Sequence, residues 1–439
     1  MKNPKIIIFS PPYHHLGTRE LYGQSGREDW FPLGAFSITN ALRLAGNEHT
    51  FLYYQEDHSP RTLERLIKRI KPDIVGISCF SLTRFACLDL AKRVKKIDRD
   101  TLTILGGTHP SFLDKQIMTN YPFIDMVLRG YGETAFPDIA DAFSRRKTFD
   151  GIPGLSWRDK GRWIRNRDGQ IHDELSLPLA KDMRDAILGE FPSWISRDMI
   201  SHTIPVETAR GCPYHCFFCS KIEQKENRVI DRDPGHVLKY IKGLFKLFGP
   251  RPIYFCAPNF TLNKKKALAL CRALKRSKLQ VQWTCGTRID LIDKELLLEM
   301  KTAGCQRIYY GVDSLCQRLL HSIHRDYTPE KAVRDLNLTV ACGLACEANL
   351  LIGFPGEDRR SLSESLLFLR KIDPKVSVVV RPLKIMPGSQ LYHKAIEEGF
   401  DETYWLKDHG TDFPDYTGSL PAKELVKYCR TFNEIRRRT

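Results

Sequence analysis

From residue 5 onward, short apolar runs alternate with stretches whose apolar positions recur every three or four residues. The runs at 5–10, 49–54, 74–78, 101–105 and 126–128 have strand length, and those between them, at 33–45, 62–70 and 84–97, carry helical spacing. Gly46, Pro72 and the pair Gly106-Gly107 end these units. Such β–α alternation predicts an α/β fold whose first part, residues 1–145, is a Rossmann-like, doubly wound parallel sheet with ligands at the carboxyl ends of its strands. Residues 146–200 read as a connector, with turn signals at Gly151 to Gly154 and Asp168-Gly169 and with Trp157 and Trp163 at hairpin spacing. From about residue 201 to 395 the alternation resumes, with strands expected at 253–256, 280–285, 307–310, 347–352 and 376–380. This pattern suits a partial (β/α)6 TIM-type barrel whose active site gathers at one rim. A short helical tail, 396–439, remains, to close the barrel base or cap the substrate.

With 439 residues, 42% of them hydrophobic, the chain is long enough for two or three domains. Its apolar runs fall far short of the about 18 residues of a membrane helix, and the first residues lack the apolar stretch of a secretory signal. Thirteen irregularly spaced cysteines do not form a secreted disulfide framework, so a reducing, cytoplasmic location is expected. Cys342 and Cys346 read as small core residues. A formal charge of +16 permits an acidic partner, but the basic residues are dispersed along the sequence, so solvated helix faces are favoured over nucleic-acid binding.

The chemistry concentrates in Arg210-Gly211-Cys212-Pro213-Tyr214-His215-Cys216-Phe217-Phe218-Cys219. Three soft thiolates spaced C-x3-C-x2-C suit three corners of a [4Fe–4S] cluster, leaving one iron for another ligand. A structural zinc site normally needs four closed ligands, and this loop supplies only a C-x2-C half-site around His215; zinc and three unrelated buried thiols stand as the alternatives. The cysteine spacing, with Phe218 just before the last thiol, resembles the radical S-adenosylmethionine (SAM) superfamily. The N-terminal strand ends resemble the cobalamin (B12)-binding domain that precedes many of its members, through Phe31-Pro32-Leu33-Gly34 and the turn Gly106-Gly107-Thr108-His109-Pro110.

That resemblance covers about residues 5 to 395 and implies three cofactors: a [4Fe–4S] cluster on Cys212, Cys216 and Cys219, S-adenosyl-L-methionine, and cobalamin. SAM chelates the open iron, an electron from a donor such as flavodoxin or ferredoxin cleaves its sulfonium, and a 5′-deoxyadenosyl radical abstracts hydrogen from substrate. By analogy Phe218 and Leu351 flank adenine, Asp313 and Ser314 meet the ribose or amino group, and Arg288 faces the carboxylate; pairing of Arg288 with Asp290 and helix capping by Asp313 are the structural alternatives. Cobalamin contacts fall to Pro11, Pro12, His14, Ser78, Ser81, Gly106, Gly107, His109, Gly130, Gly132 and Glu133. Three departures from the family pattern stand out. The axial-histidine motif D-x-H-x-x-G reads Pro12-Tyr13-His14-His15-Leu16-Gly17, without its aspartate; Ala257-Pro258 replaces an acidic pair; and Asp313 replaces a glutamate.

The resemblance further implies methyl transfer from SAM by way of methylcobalamin to an unactivated carbon or phosphorus of a small-molecule or peptide substrate. Radical cyclisation or rearrangement, as in anaerobic tetrapyrrole ring formation, is the alternative. A methylthiotransferase ranks lower because only Cys79 and Cys87 precede the cluster loop, and a non-catalytic binding protein leaves three thiolates without a purpose.

Overall fold

The computed structural model describes residues 3–11, 31–54, 60–169, 178–188, 203–220, 228–277, 279–407 and 420–437. Its first part runs β1 (Ile6–Ser10), α1 (Leu33–Leu44), β2 (Thr50–Tyr54), α2 (Pro60–Ile70), β3 (Ile74–Ser78), α3 (Arg84–Ile97), β4 (Leu102–Gly106), α4 (Thr108–Asn120), β5 (Met126–Leu128) and α5 (Ala135–Ser144). These five strands pair in parallel in the order β5-β4-β3-β1-β2. All of β1 is buried, as expected for a strand with helices over both faces. The chain adds β2 on one side of β1 and β3 on the other, and this reversal opens a crevice at the carboxyl ends of β1 and β3.

The stretch expected as a connector contributes strands to both edges of this sheet. β6 (Leu155–Asp159) and β7 (Arg162–Arg165) form a hairpin on β5, turning through Lys160 and Gly161 at φ 47° and 82°. Positive φ at both turn residues matches the twist of a two-residue hairpin loop. On the other edge, α6 (Met183–Ala186) leads into β8 (Ile187–Leu188), which pairs with β2. The sheet therefore has eight strands among the described residues, and the open edges of β5 and β2 are covered.

A second unit begins with β9 (Ile204–Glu207), β10 (Ala209–Arg210), β11 (Ile230–Asp231), α7 (Pro234–Phe248), β12 (Ile253–Cys256), α8 (Lys264–Arg276), β13 (Trp283–Arg288), α9 (Lys294–Thr302) and β14 (Cys305–Asp313). It continues through α10 (Gln317–Ser322), α11 (Pro329–Ala341), β15 (Ala345–Ile352), α12 (Arg359–Leu369), β16 (Ser377–Pro382), α13 (Gln390–Glu397), a 3-10 turn at Tyr404–Leu406 and α14 (Ala422–Arg437). Six strands pair in parallel in chain order, β9-β12-β13-β14-β15-β16, giving an open barrel arc. Side-chain caps start its helices where the sequence offers Asp, Asn, Thr or Ser: Asp233 before Pro234, Asn263, Asp293, Thr328 and Ser389, with a reciprocal capping box between Asp358 and Ser361.

β13 is displaced from the expected 280–285 because Val281 is still in a turn, its N–H donating to Leu279, and pairing starts only at Trp283 opposite Cys305. Arg288 is therefore the last residue of the strand itself. The tail performs two structural tasks. Asn433 on α14 accepts from the Val380 N–H at 3.0 Å and donates to its carbonyl at 3.1 Å, covering the free edge of β16. The 3-10 turn grips the first unit, Arg84 donating to the carbonyls of Trp405 and Lys407. Phe31 and Phe36 pack on Phe248 of α7, and a Cβ at Gly388 would strike the Phe112 ring at 2.2 Å, so the two units meet at close quarters.

Candidate active site

The loop carrying Cys212, Cys216 and Cys219 leaves the barrel at the end of β9 and is closed at its base by antiparallel pairing of β10 with β11. Gly211 sits at φ 89° with the Arg228 carbonyl oxygen 1.8 Å from where a Cβ would lie, so only glycine passes this point. Tertiary hydrogen bonds fix the rest: Leu391 N–H donates to the Phe217 carbonyl at 2.9 Å, and His324 Nδ1 lies 2.9 Å from the His215 carbonyl. Cys212 and Cys216 are buried, Cys219 is half-buried, and none of the three is in a disulfide. Asn259, on the loop after β12, places its amide nitrogen 3.3 Å from Cys212 Sγ. Among the described residues no three His, Cys, Asp or Glu side chains converge on one ion. Three separated soft donors on one loop fit a multi-iron cluster, and an N–H beside the sulfur is a known lever on its potential.

Two guanidiniums face this loop. Arg288 lies 3.8 Å over the Tyr214 ring and grips Asp290 with two hydrogen bonds of 2.9 and 2.8 Å, so the structural pairing is present. Its Nη1 is buried without a hydrogen-bond partner. Arg325, a residue the sequence reading did not single out, pairs with Asp313 and lies 5.9 Å from the centre of the Phe218 ring. Nε and Nη1 of Arg325 are likewise buried and unpartnered. Burial pushes the Cys216 thiol up, and both guanidiniums oppose that shift. Asp313 does not cap a helix: it occupies the left-handed region at φ 60°, while Ser314 Oγ accepts from Cys316 N–H at the start of α10. Phe218 and Leu351 pack, half-buried, against the same apolar cluster, and the Phe218 ring meets Phe354 edge-on at 5.5 Å. Free donors beside half-buried aromatic and aliphatic walls can receive an anionic group attached to a flat ring.

On the other side of the interface, the crevice at the strand ends opens into a cavity of about 190 Å³. Ser78, Gly106, Gly107, Gly130, Gly132 and Glu133 line it, together with Gly34 and apolar side chains that include Ile8, Ile104 and Phe136. At Gly34 and Gly130 an added Cβ would find nothing within 4 Å, and at Gly106 only the Leu128 carbonyl oxygen at 3.8 Å, so any side chain there would occupy the cavity itself. This cradle fits the buried tail of a large ligand whose head rests on the strand ends. The far wall comes from the barrel: Arg210 and Glu207 also line the cavity, with the Arg210 guanidinium bound to Glu133 and Glu207 and lying 4.0 Å over the Tyr131 ring. Pro12 and His14 lie outside the described residues. Pro11 ends the buried β1 segment but is not in the cavity wall.

Ser81 and His109 are also away from that wall. His109 Nδ1 lies 3.0 Å from Ser81 Oγ in a buried cluster with Arg84 and Trp405. Burial, reinforced by the Arg84 charge, lowers the His109 pKa to about 3. The folded value lies below the unfolded one of about 6.5, so this imidazole contributes stability above pH 6.5 that is lost as pH falls toward 3. The expected loss between pH 7 and 5 is roughly 2 kcal/mol, and His109→Gln should flatten that part of the profile in urea unfolding at the two pH values. An unchanged slope in the variant would show that His109 is not the titrating group.

Residues 20–140 match the family described as the B12 binding domain, and residues 206–369 match the radical SAM superfamily. An uncharacterized methyltransferase of Pyrococcus horikoshii is 28% identical over 401 residues, covering 90% of this chain and 84% of its own. The anaerobic magnesium-protoporphyrin IX monomethyl ester cyclase of Rubrivivax gelatinosus is 25% identical over 84% of this chain, which spans only 66% of that protein. In fold, the radical SAM methyltransferase TsrM of Kitasatospora setae superposes with a TM-score of 0.74 at 17% identity, covering 90% of this chain and 76% of its own. The glycine-lined cavity lies within the first matched region and the three-thiol loop within the second, and so the chain belongs to the cobalamin-binding radical SAM enzymes, whose cofactors are a [4Fe–4S] cluster, SAM and cobalamin.

Proposed function

We propose that this enzyme is a cobalamin-dependent methyltransferase that places a methyl group on an unactivated carbon of a small molecule held between its two units. The observation that carries the reading is the shared wall: Glu133 of the cavity and Arg210 at the root of the cysteine loop are joined in one buried ion pair, so both cofactor sites border the same interface. Together the bound cofactors supply a hydrogen-atom abstractor and a transferable methyl group. Around them, Cys212, Cys216 and Cys219 hold the cluster, Arg288 and Arg325 receive the SAM carboxylate on their free donors, and Phe218 with Leu351 flanks the adenine. Burial of these groups excludes water from a site where radical intermediates must survive. None of the thirteen cysteines is in a disulfide, which supports a reducing, cytoplasmic setting. Cyclisation of a tetrapyrrole is the second reading, favoured by the similarity to the Rubrivivax protein.

The electron comes, on this reading, from a small acidic carrier such as flavodoxin or ferredoxin. Three lysines on α7 and six Lys or Arg on α8 face no Asp or Glu within either helix. Lys264 and Lys275 are paired with carboxylates of α9 and its cap, while Lys265 and Lys266 remain exposed at the start of α8, six and seven residues after the Asn259 that touches Cys212. Such a field steers an oppositely charged partner.

The test is anaerobic turnover of reconstituted enzyme with hydroxocobalamin, deuteromethyl-SAM and reduced flavodoxin on candidate substrates. Labelled methyl in product together with 5′-deoxyadenosine is the expected result. Deoxyadenosine with ring closure and no label would move the assignment to the cyclase. In the same assay Lys265→Glu/Lys266→Glu should slow the flavodoxin-driven rate about tenfold at low salt and leave a dithionite-driven rate intact; equal slowing with both reductants removes this docking face.

A further inference from the structure

We propose that Arg210 is a direct corrinoid contact as well as the root of the cluster loop, so that filling the cavity and ordering the loop are energetically coupled. This rests on the cobalamin reading above. Arg210 is 4% exposed and lines the cavity. Two carboxylates hold it from opposite units: Glu133, at the end of the first sheet, and Glu207, at the end of β9, with Nη2 to Glu207 at 2.8 Å and Nε to Glu207 at 2.9 Å. Those bonds occupy Nε and Nη2. Nη1 is buried and has no hydrogen-bond partner.

A buried guanidinium donor left open is costly, whereas one completed by a ligand acceptor is not. The two carboxylates and the Tyr131 face leave this group little freedom, so the remaining donor is held in place before any ligand arrives. A corrinoid presents side-chain amide carbonyls and a nucleotide phosphate, both oxygen acceptors that Nη1 can bind. Charge does not choose between them, because Arg232 adds a second, half-buried cation beside the pair of glutamates and leaves the group balanced. The next residue is Gly211, which has no conformational alternative at φ 89°, followed by Cys212. The guanidinium and the first thiol are thus two residues apart on a closely packed backbone, and linkage makes the coupling between them reciprocal: the assembled cluster should tighten corrinoid binding, and bound corrinoid should perturb the cluster.

The experiment titrates hydroxocobalamin, followed by its absorbance, into full-length protein with and without reconstituted cluster, for wild type, Arg210→Lys and Glu133→Gln. Lysine keeps the charge between the two glutamates but cannot offer the third fixed donor. Expected are at least tenfold weaker binding in Arg210→Lys, loss of the cluster-dependent difference in affinity, and loss of the corrinoid-induced change in the paramagnetic resonance spectrum of the reduced cluster. Glu133→Gln keeps the cavity shape and should lose the cluster dependence with a smaller loss of affinity. Cobinamide, which lacks the nucleotide, tells the acceptors apart: a defect seen with both corrinoids assigns an amide, and one seen only with cobalamin assigns the phosphate. Wild-type binding and unaltered cluster dependence in Arg210→Lys overturn the contact. Failure of the wild type to bind any corrinoid overturns the cobalamin reading itself, and the contact with it.

Discussion

Cys216→Ala should fall from about four irons per chain to fewer than one after anaerobic reconstitution, with SAM cleavage dropping to background. The three thiols belong to one loop whose base and flanks are pinned by the β10–β11 pairing, Leu391 and His324, so no neighbouring segment can move in to supply a missing ligand. Cys342 and Cys346 are buried in the core and cannot substitute. Cobalamin should still bind, at the weaker affinity of the cluster-free wild type, because the cavity wall contains none of the cysteines. Iron and sulfide analysis, paramagnetic resonance of the reduced protein and a corrinoid titration check the three parts. Cys342→Ala is the control, expected to cost some stability and no iron. If Cys216→Ala retains a full, reducible cluster, the assignment of the loop fails.

Arg325→Met is expected to destabilise the fold by about 3–5 kcal/mol, since it strands the Asp313 carboxylate in the interior. The side chains of the pair are only 6% and 8% exposed, and Asp313 is held at φ 60°, where residues other than glycine are seldom found. Asparagine tolerates that conformation and carries no charge, so Asp313→Asn/Arg325→Met should recover part of the loss. The double variant then allows ligand affinity to be read against Asp313→Asn alone, which carries any loss due to Asp313 itself: without the free Nε and Nη1 donors, SAM should bind roughly thirtyfold more weakly than to that single variant, or about 2 kcal/mol. Urea unfolding with calorimetric SAM titration measures both effects. A wild-type unfolding midpoint for Arg325→Met would mean that the pair carries no such load, and unchanged SAM affinity in the double variant would remove Arg325 from the cofactor site.

Much of this was legible before any fold was known, for identifiable reasons. Strand ends are marked by glycine and by small polar residues, so Ser78, Gly106, Gly107, Gly130, Gly132 and Glu133 could be named from the alternation, and all of them line the cavity. Ser81 and His109 carry the same kind of signal and are instead buried under Trp405, because the tail folds back onto α3 and α4 from about 300 residues away. Periodicity placed β13 three residues early; it reports apolar content and cannot see where pairing begins. Arg325 and Asn259 lacked any marker of their own, since a single polar residue after a helix or strand looks the same whether it faces solvent or a cofactor.

The basic residues show the same division. In one dimension they are dispersed; folding sets α7 beside α8, pairs Lys264 and Lys275 with α9 and its cap, and leaves Lys265 and Lys266 exposed. By itself the sequence determined the order of the units, the three-thiol loop and the glycine-lined strand ends, because spacing along a chain dictates local geometry and ligand type. Only the tertiary structure decided which charges neutralise one another, which guanidinium donors are left open, and that Arg210 meets a carboxylate 77 residues upstream. Such pairings depend on distance through space in a desolvated interior, a quantity on which the linear pattern of residue types places almost no constraint.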